Sequence, residues 1–318
     1  MSFDRLLGNE RLKENLTQSL KNGRISHFYL ISGRKGSGKH TLAGLLAEAI
    51  LCEGSRKPCG TCAHCRKMRS RNHPDFITVE DPEHKNVAVK IVRQIRDDMF
   101  VRPNEASHKI YLFPQELGIE GQNALLKILE EPPAYGVFLL LTDNPDKLLP
   151  TVRSRCTELK LQALDSKTIR NQLHLDFPKA TEEDIAAAVF RSGSFLGQAR
   201  QLLDNGDALP PQTESFVRAF AGRDSLGMAQ LLVPMEKWKR DALAEILSQW
   251  LELLENALTS RAGLAAVSTH SRELSRQRSA GEIYEGVQAL KKALAYTQSN
   301  VSPAAVCGWL TWALRLYK

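Results

Sequence analysis

The 318-residue sequence predicts an α/β module built on a parallel five-stranded sheet, followed by a wholly helical remainder. Three observations carry this expectation. Five short apolar runs separated by helical patterns lie before residue 162, as a parallel sheet with crossover helices requires. A glycine-rich turn joins the first of these runs to the helix after it. Beyond residue 162 the strand signals stop, and apolar residues recur every three or four positions.

Residues 9–22 read as a helix, with Leu12, Leu16 and Leu20 four apart on one face. The first strand, Phe28-Tyr29-Leu30-Ile31, runs through Ser32 into a turn that carries Gly33, Gly36 and Gly38, then Lys39. An apolar helical pattern follows in Leu42, Leu45, Leu46, Ala49 and Ile50. Strand, glycine loop, lysine and helix in this order make a phosphate-binding loop. Glycines let backbone N–H groups turn towards phosphate oxygens, the helix N-terminus adds partial positive charge, and Lys39 reaches the outer phosphates. The motif needs Ser or Thr directly after the lysine to hold Mg²⁺. Here His40 stands there, and Thr41 comes one residue late, turned by about 100° round the helix. The loop is therefore expected to be poorly made for hydrolysis, while binding of ATP or ADP is left open.

Cys52, Cys59, Cys62 and Cys65 follow, at spacing C-x6-C-x2-C-x2-C. Four thiolates within so short a stretch suit a tetrahedral Zn²⁺ better than disulfides in a chain expected to be cytoplasmic. Pro58, Gly60 and Thr61 supply turn chemistry between them. A four-thiolate site is closed to water, so the expected zinc is structural. His64 lies inside the cluster and could replace one thiolate; Cys156 and Cys307 stand alone and read as small buried apolar residues.

The second strand is expected at Phe76-Ile77-Thr78-Val79, a helix over 89–100 on Ile91, Ile95 and Met99, and the third strand at Lys109–Phe113. A hydrolysing NTPase ends that strand in acids that hold Mg²⁺ and prepare water. This strand runs into Pro114-Gln115, and the first acid after it, Glu116, is read as misplaced. Residues 120–131 read as a helix closed by Pro132-Pro133, Gly136–Thr142 as a buried parallel strand, and residues 156–161 as the last strand. Residues 165–205 read as short helices broken by Gly193-Ser194-Phe195-Leu196-Gly197, and 208–211 as a linker. Three apolar stripes then run from Leu243 to Leu258, from Ile283 to Leu294, and over 304–317. All four tryptophans fall in this last part of the chain.

Apolar residues make up 42% and charged residues 25%, and the net charge is +7. This balance permits an acidic partner such as nucleic acid without requiring one. The basic clusters at 66–71 and 237–240 are read as solvated faces. No apolar run reaches the roughly 18 residues of a membrane span, and the first ten residues hold no apolar signal core, so the expectation is a cytoplasmic protein with no membrane partner.

Several stretches together resemble the delta-prime family of bacterial DNA polymerase III clamp-loader subunits, in the AAA+ ATPase class. They are Arg24-Ile25-Ser26-His27-Phe28-Tyr29-Leu30, the loop from Gly33 to Lys39, the four cysteines, Asn123-Ala124-Leu125-Leu126-Lys127-Ile128-Leu129-Glu130-Glu131-Pro132-Pro133, and Leu148-Leu149-Pro150-Thr151-Val152-Arg153-Ser154-Arg155-Cys156. The resemblance covers most of residues 20–160; the C-terminal half matches only in general character. It implies an AAA+ module with the zinc insertion over 1–162, a helical lid over 163–208 and an all-α collar over 209–318. It also implies partners: motor ATPase subunits and a delta subunit in a ring of five, the sliding clamp, and primer–template DNA. Ser154-Arg155-Cys156 matches the family's finger motif, which makes Arg155 the residue reaching in trans into a neighbour's ATP site, where a cation stabilises charge on the transferred phosphoryl group. Motor subunits carry Thr after the loop lysine, acids after the third strand, and an arginine in the lid where this chain has Gly193–Gly197. The resemblance therefore implies a non-hydrolysing subunit of the polymerase holoenzyme. Two alternatives stand beside it: an active motor ATPase of the same family, and a zinc-bearing DNA-binding regulator with a vestigial loop.

Overall fold

Alternating apolar side chains in the first half of the chain decide both faces of a sheet. In β1 (Phe28–Ser32), Tyr29 and Ile31 point into one core while Phe28 and Leu30 point into another. The same split occurs in β3 (Lys109–Phe113), with Ile110 and Leu112 against Tyr111 and Phe113. It recurs in β4 (Gly136–Thr142), with Val137, Leu139 and Leu141 against Phe138 and Leu140. All three strands are buried along their whole length, as parallel strands covered on both faces must be. The computed structural model describes residues 3–84, 86–204, 209–261, 269–299 and 301–314.

In chain order the first elements are α1 (Glu10–Lys21), β1, α2 (Lys39–Leu51), α3 (Ala63–Arg69), β2 (Phe76–Thr78), α4 (Val89–Asp98), β3, α5 (Ile119–Glu130), β4, α6 (Pro150–Arg153) and β5 (Thr157–Lys160). The strands form one sheet in the order β2-β3-β4-β1-β5, every pair parallel. This is the expected α/β fold with a parallel five-stranded sheet. Register places Phe28 beside Phe138, and their rings stack at 4.5 Å. The first core takes the apolar face of α2, including Leu42, Leu45, Leu46 and Ile50. The second takes Val92 of α4 and Leu125, Ile128 and Leu129 of α5.

The helical remainder comprises α7 (Ser166–Asp176), α8 (Glu182–Arg191), α9 (Leu196–Asp204), α10 (Pro211–Ala221), α11 (Ser225–Met235), α12 (Arg240–Arg261), α13 (Thr269–Gln277), α14 (Ala280–Gln298) and α15 (Pro303–Ala313). The described chain divides into two compact units, Met1–Lys179 with Ser192–Arg200, and Ala180–Arg191 with Gln201–Lys318. The second unit has its own core. In it Leu243, Ile246, Leu247, Trp250 and Leu254 of α12 meet Ile283, Val287 and Leu290 of α14, as the two stripes anticipate. Trp250 is fully buried, stacks on Phe216 at 4.3 Å and donates its indole N–H to Thr213 Oγ1 at 3.3 Å. Ala208 of the expected linker and residues 315–317 of the last expected stripe lie outside the described residues. Among the described residues, no helix is long and apolar enough to cross a membrane.

Candidate functional site

The glycine loop between β1 and α2 is held by backbone contacts. Gly36 has φ +78°, a conformation L side chains rarely adopt, and a Cβ there would lie 2.4 Å from the backbone nitrogen of Gln198. Gly197 donates its N–H to the Gly36 oxygen at 2.9 Å, and a Cβ on Gly197 would sit 2.8 Å from the Gly36 Cα. Glycine on both sides lets the two backbones touch, so the Gly193–Gly197 break noted in the sequence is packed on the phosphate loop. Gly38 opens α2 with φ +94° and no side chain caps that helix. His40 and Thr41, in its first turn, are both exposed.

Lys39 is buried, and its ammonium does not face outward. Nζ donates to the Gly33 oxygen at 2.7 Å and the Arg34 oxygen at 3.0 Å, and pairs with Asp143 Oδ1 at 2.6 Å. Asp143 directly follows β4, the strand beside β1. A cavity of about 240 Å³ opens here, its lining including Lys39, Asn86, Glu116, Thr142, Asp143 and Lys147. Glu116, expected to be misplaced, does line this cavity, but both its oxygens take Lys147 Nζ, at 2.8 and 2.9 Å. Gln115 is spent on bracing. Its Oε1 accepts the Asp81 N–H at 2.6 Å, and its Nε2 donates to the Asp81 and His84 oxygens at 2.9 and 3.0 Å. Gln115 and Glu116, which follow β3 where acids should hold Mg²⁺, are thus engaged in internal hydrogen bonds.

The four cysteine sulfurs lie within 4.8 Å of one another, with Cys59 and Cys65 at 3.9 Å and Cys52 and Cys62 at 3.9 Å. Four sulfurs about 2.3 Å from one tetrahedral ion stand about 3.8 Å apart, so the donor set fits a metal ion. Backbone N–H groups point at the sulfurs: Gly54 and Cys59 at Cys52, Cys62 at Cys59, and Cys65 at Cys62, over 3.2 to 3.4 Å. Such donors favour thiolate at Cys59, where those of Thr61 and Cys62 pull the thiol down to about 5, whereas burial pushes the Cys52 and Cys65 thiols up. Gly60, at φ +77°, makes the turn, and a Cβ there would meet Arg69 Nη2 at 2.4 Å. His64 is committed elsewhere. His73 Nδ1 accepts the Asp75 N–H at 3.1 Å, which leaves the ring proton on Nε2 to donate to His64 Nδ1 at 2.8 Å. Burial lowers the pKa of His73 and keeps it neutral, and His64 Nε2 faces Glu53 at 3.3 Å. Glu105 completes a His64–His73–Glu105 group, but a proton already bridges the two rings.

Arg155 follows α6 and is exposed. Its Nη1 donates to the Thr151 oxygen at 2.9 Å and its Nη2 pairs with Glu130 Oε1 at 3.1 Å. Two contacts leave three of its five N–H donors uncommitted by this geometry. Cys156 beside it is half-buried, and burial pushes its thiol up to about 11. Arg200 of α9, the arginine nearest to Gly197 in sequence, is paired with Asp176 at 2.6 Å. Asp143, Gln115 and Glu130 were not picked out as interacting groups from the sequence. Asp143 meets Lys39 across 104 residues, and no local motif marks it.

Residues 8–165 match the family model described as DNA polymerase III, delta subunit. DNA polymerase III subunit delta' of Bacillus subtilis is 34% identical over 166 residues, 51% of this chain and 50% of that protein. DNA polymerase III subunit tau of Salmonella typhimurium is 39% identical over 176 residues, 54% of this chain and 27% of that protein. The chain thus spans between about a quarter and half of the length of these curated relatives. The solved structure of a DNA polymerase III gamma subunit-related protein from Thermotoga maritima is 18% identical, covers 95% of this chain and 98% of that one, and superposes loosely at a TM-score of 0.44. Through residues 8–165, the chain belongs to the clamp-loader family of DNA polymerase III subunits.

Proposed function

We propose that the chain is a non-hydrolysing AAA+ subunit of a replicative clamp loader, supplying Arg155 in trans to the ATP site of a neighbouring motor subunit. Its partners in this reading are motor ATPase subunits and a delta subunit in a ring of five, the sliding clamp, and primer–template DNA, all in the cytoplasm. The division into module, lid and collar at 162 and 208 is part of the same proposal. Cys52, Cys59, Cys62 and Cys65 hold a structural Zn²⁺, since four thiolates leave no position open to water.

One contrast carries the reading. The loop's own chemical groups are engaged internally, Lys39 by Asp143, Gln115 by the 81–84 backbone and Glu116 by Lys147, whereas Arg155 stands exposed beyond α6. A guanidinium brought to a neighbour's triphosphate stabilises the charge spread over its oxygens. That is worth roughly 10³–10⁵ in rate where a finger acts alone. The test is turnover by the reconstituted loader with clamp and primed DNA, comparing wild type with Arg155→Ala, with assembly checked by mass. A loss of about tenfold or more in an intact complex supports the finger. Unchanged turnover removes it and leaves the chain a scaffold. Tight, salt-dependent DNA binding by the isolated chain would instead favour the regulator reading.

A further inference from the structure

A phosphate loop has three working parts: inward N–H groups, a helix N-terminus and a lysine. Two of them survive here. The spacing from Gly33 to Gly38 and Lys39 is intact, and α2 begins without a side-chain cap. The third is altered. An ammonium has three N–H donors, and Lys39 Nζ has three acceptors within 3.0 Å, the Gly33 and Arg34 oxygens and Asp143 Oδ1. The lysine is saturated.

We infer that Asp143 excludes nucleotide from this loop by serving as the resident counter-anion of Lys39. The inference rests on the non-hydrolysing reading and goes further, from failed hydrolysis to failed binding. Asp143 sits at the C-terminal end of β4 beside β1, on the crevice edge where parallel sheets bind their ligands. An arriving phosphate must displace the carboxylate from Lys39 and then lie beside it, and like charges a few ångströms apart oppose each other. Space is not the obstacle, because the cavity of about 240 Å³ lies alongside. Charge is: among its lining residues Lys39 and Lys147 are matched by Asp143 and Glu116, so a polyanion meets side chains of no net charge. Asp143 is itself exposed, with 58% of its side chain accessible, so replacing it leaves no buried hole.

The experiment titrates a fluorescent N-methylanthraniloyl-ADP into the full chain, wild type against Asp143→Asn, with folding checked by thermal melting. Wild type should show no saturable binding up to about millimolar nucleotide, and Asp143→Asn should gain binding by about tenfold or more. Adding Lys39→Ala to Asp143→Asn should abolish the gain, which locates it at this loop. Micromolar binding by wild type overturns the inference. So does an Asp143→Asn chain that melts normally and gains nothing. If that variant fails to fold, Asp143→Ser is read by the same two outcomes. Turnover by a neighbour with Arg155→Ala is a separate measurement, so failure of the finger and failure of this lock are told apart.

Discussion

The glycine loop and Arg155 belong to the same compact unit, yet their side chains are held in opposite ways. At the loop, Lys39 is buried and bound to three acceptors, and Gln115 makes three hydrogen bonds to the backbone at 81–84. At the end of α6, Arg155 rests on one carbonyl and one carboxylate at the surface. A group whose donors are all engaged inside the chain contributes to folding, and one with spare donors in solvent can contribute to a partner. On the proposed reading, the residue types that make a motor are divided between internal bracing at the loop and service to a neighbour at Arg155.

This contrast can be broken by showing that a loop group matters for turnover, or sharpened by showing that it matters only for stability. The largest effect on stability is expected at neither place but at the thiolate cluster between them. Cys65→Ser removes a buried sulfur from the four, and should lose one equivalent of bound zinc and on the order of 5 kcal/mol of stability, read by metal analysis and calorimetry. Full zinc content with an unshifted melt would refute the structural site.

Lys39→Ala comes next. It strands two loop carbonyls and frees Asp143, so about 2–3 kcal/mol should be lost in denaturant unfolding. Gln115→Ala should cost about 1–2 kcal/mol and loosen the backbone at Asp81 and His84, visible as faster amide exchange there. An acid titration provides a control in the second unit. Ser279 N–H and the Arg223 and Arg278 guanidiniums hold the Glu282 carboxyl down at about 2, from an ordinary 4.5. Its contribution is complete above about pH 4.5 and is lost as the pH falls towards 2, whereas Glu282→Gln should flatten that part of the curve. Glu130→Ala should change stability least, by under about 1 kcal/mol, because its pair with Arg155 is exposed and screened.

Much of the fold was legible because it is written locally. Gly136–Thr142 is apolar throughout and became a fully buried strand, and Phe28 to Ile31 alternate into two cores as a pleated strand must. The cysteines were legible because their spacing within fourteen residues is itself the geometric constraint. Partnerships across the sheet were not. Asp143 looks like any acid after a strand until the parallel order sets β4 beside β1 and brings it to Lys39. Glu116 was read as misplaced from its offset past β3, yet the turn returns it to the cavity and Lys147 engages it there. Gln115 could be recognised as the absence of an acid, but its bracing role depends on where the 81–84 backbone passes. His64 offered itself as a ligand by sequence position, and only the approach of His73 from nine residues away commits it elsewhere.

The division between loop and finger is tested most directly by one paired assay. Steady-state ATPase of the reconstituted loader, with clamp and primed DNA, is measured with Lys39→Ala and with Arg155→Ala in complexes of verified composition. Lys39→Ala should turn over at the wild-type rate, and Arg155→Ala should lose about tenfold or more. A large loss with Lys39→Ala and none with Arg155→Ala would reverse the assignment and make this chain a motor.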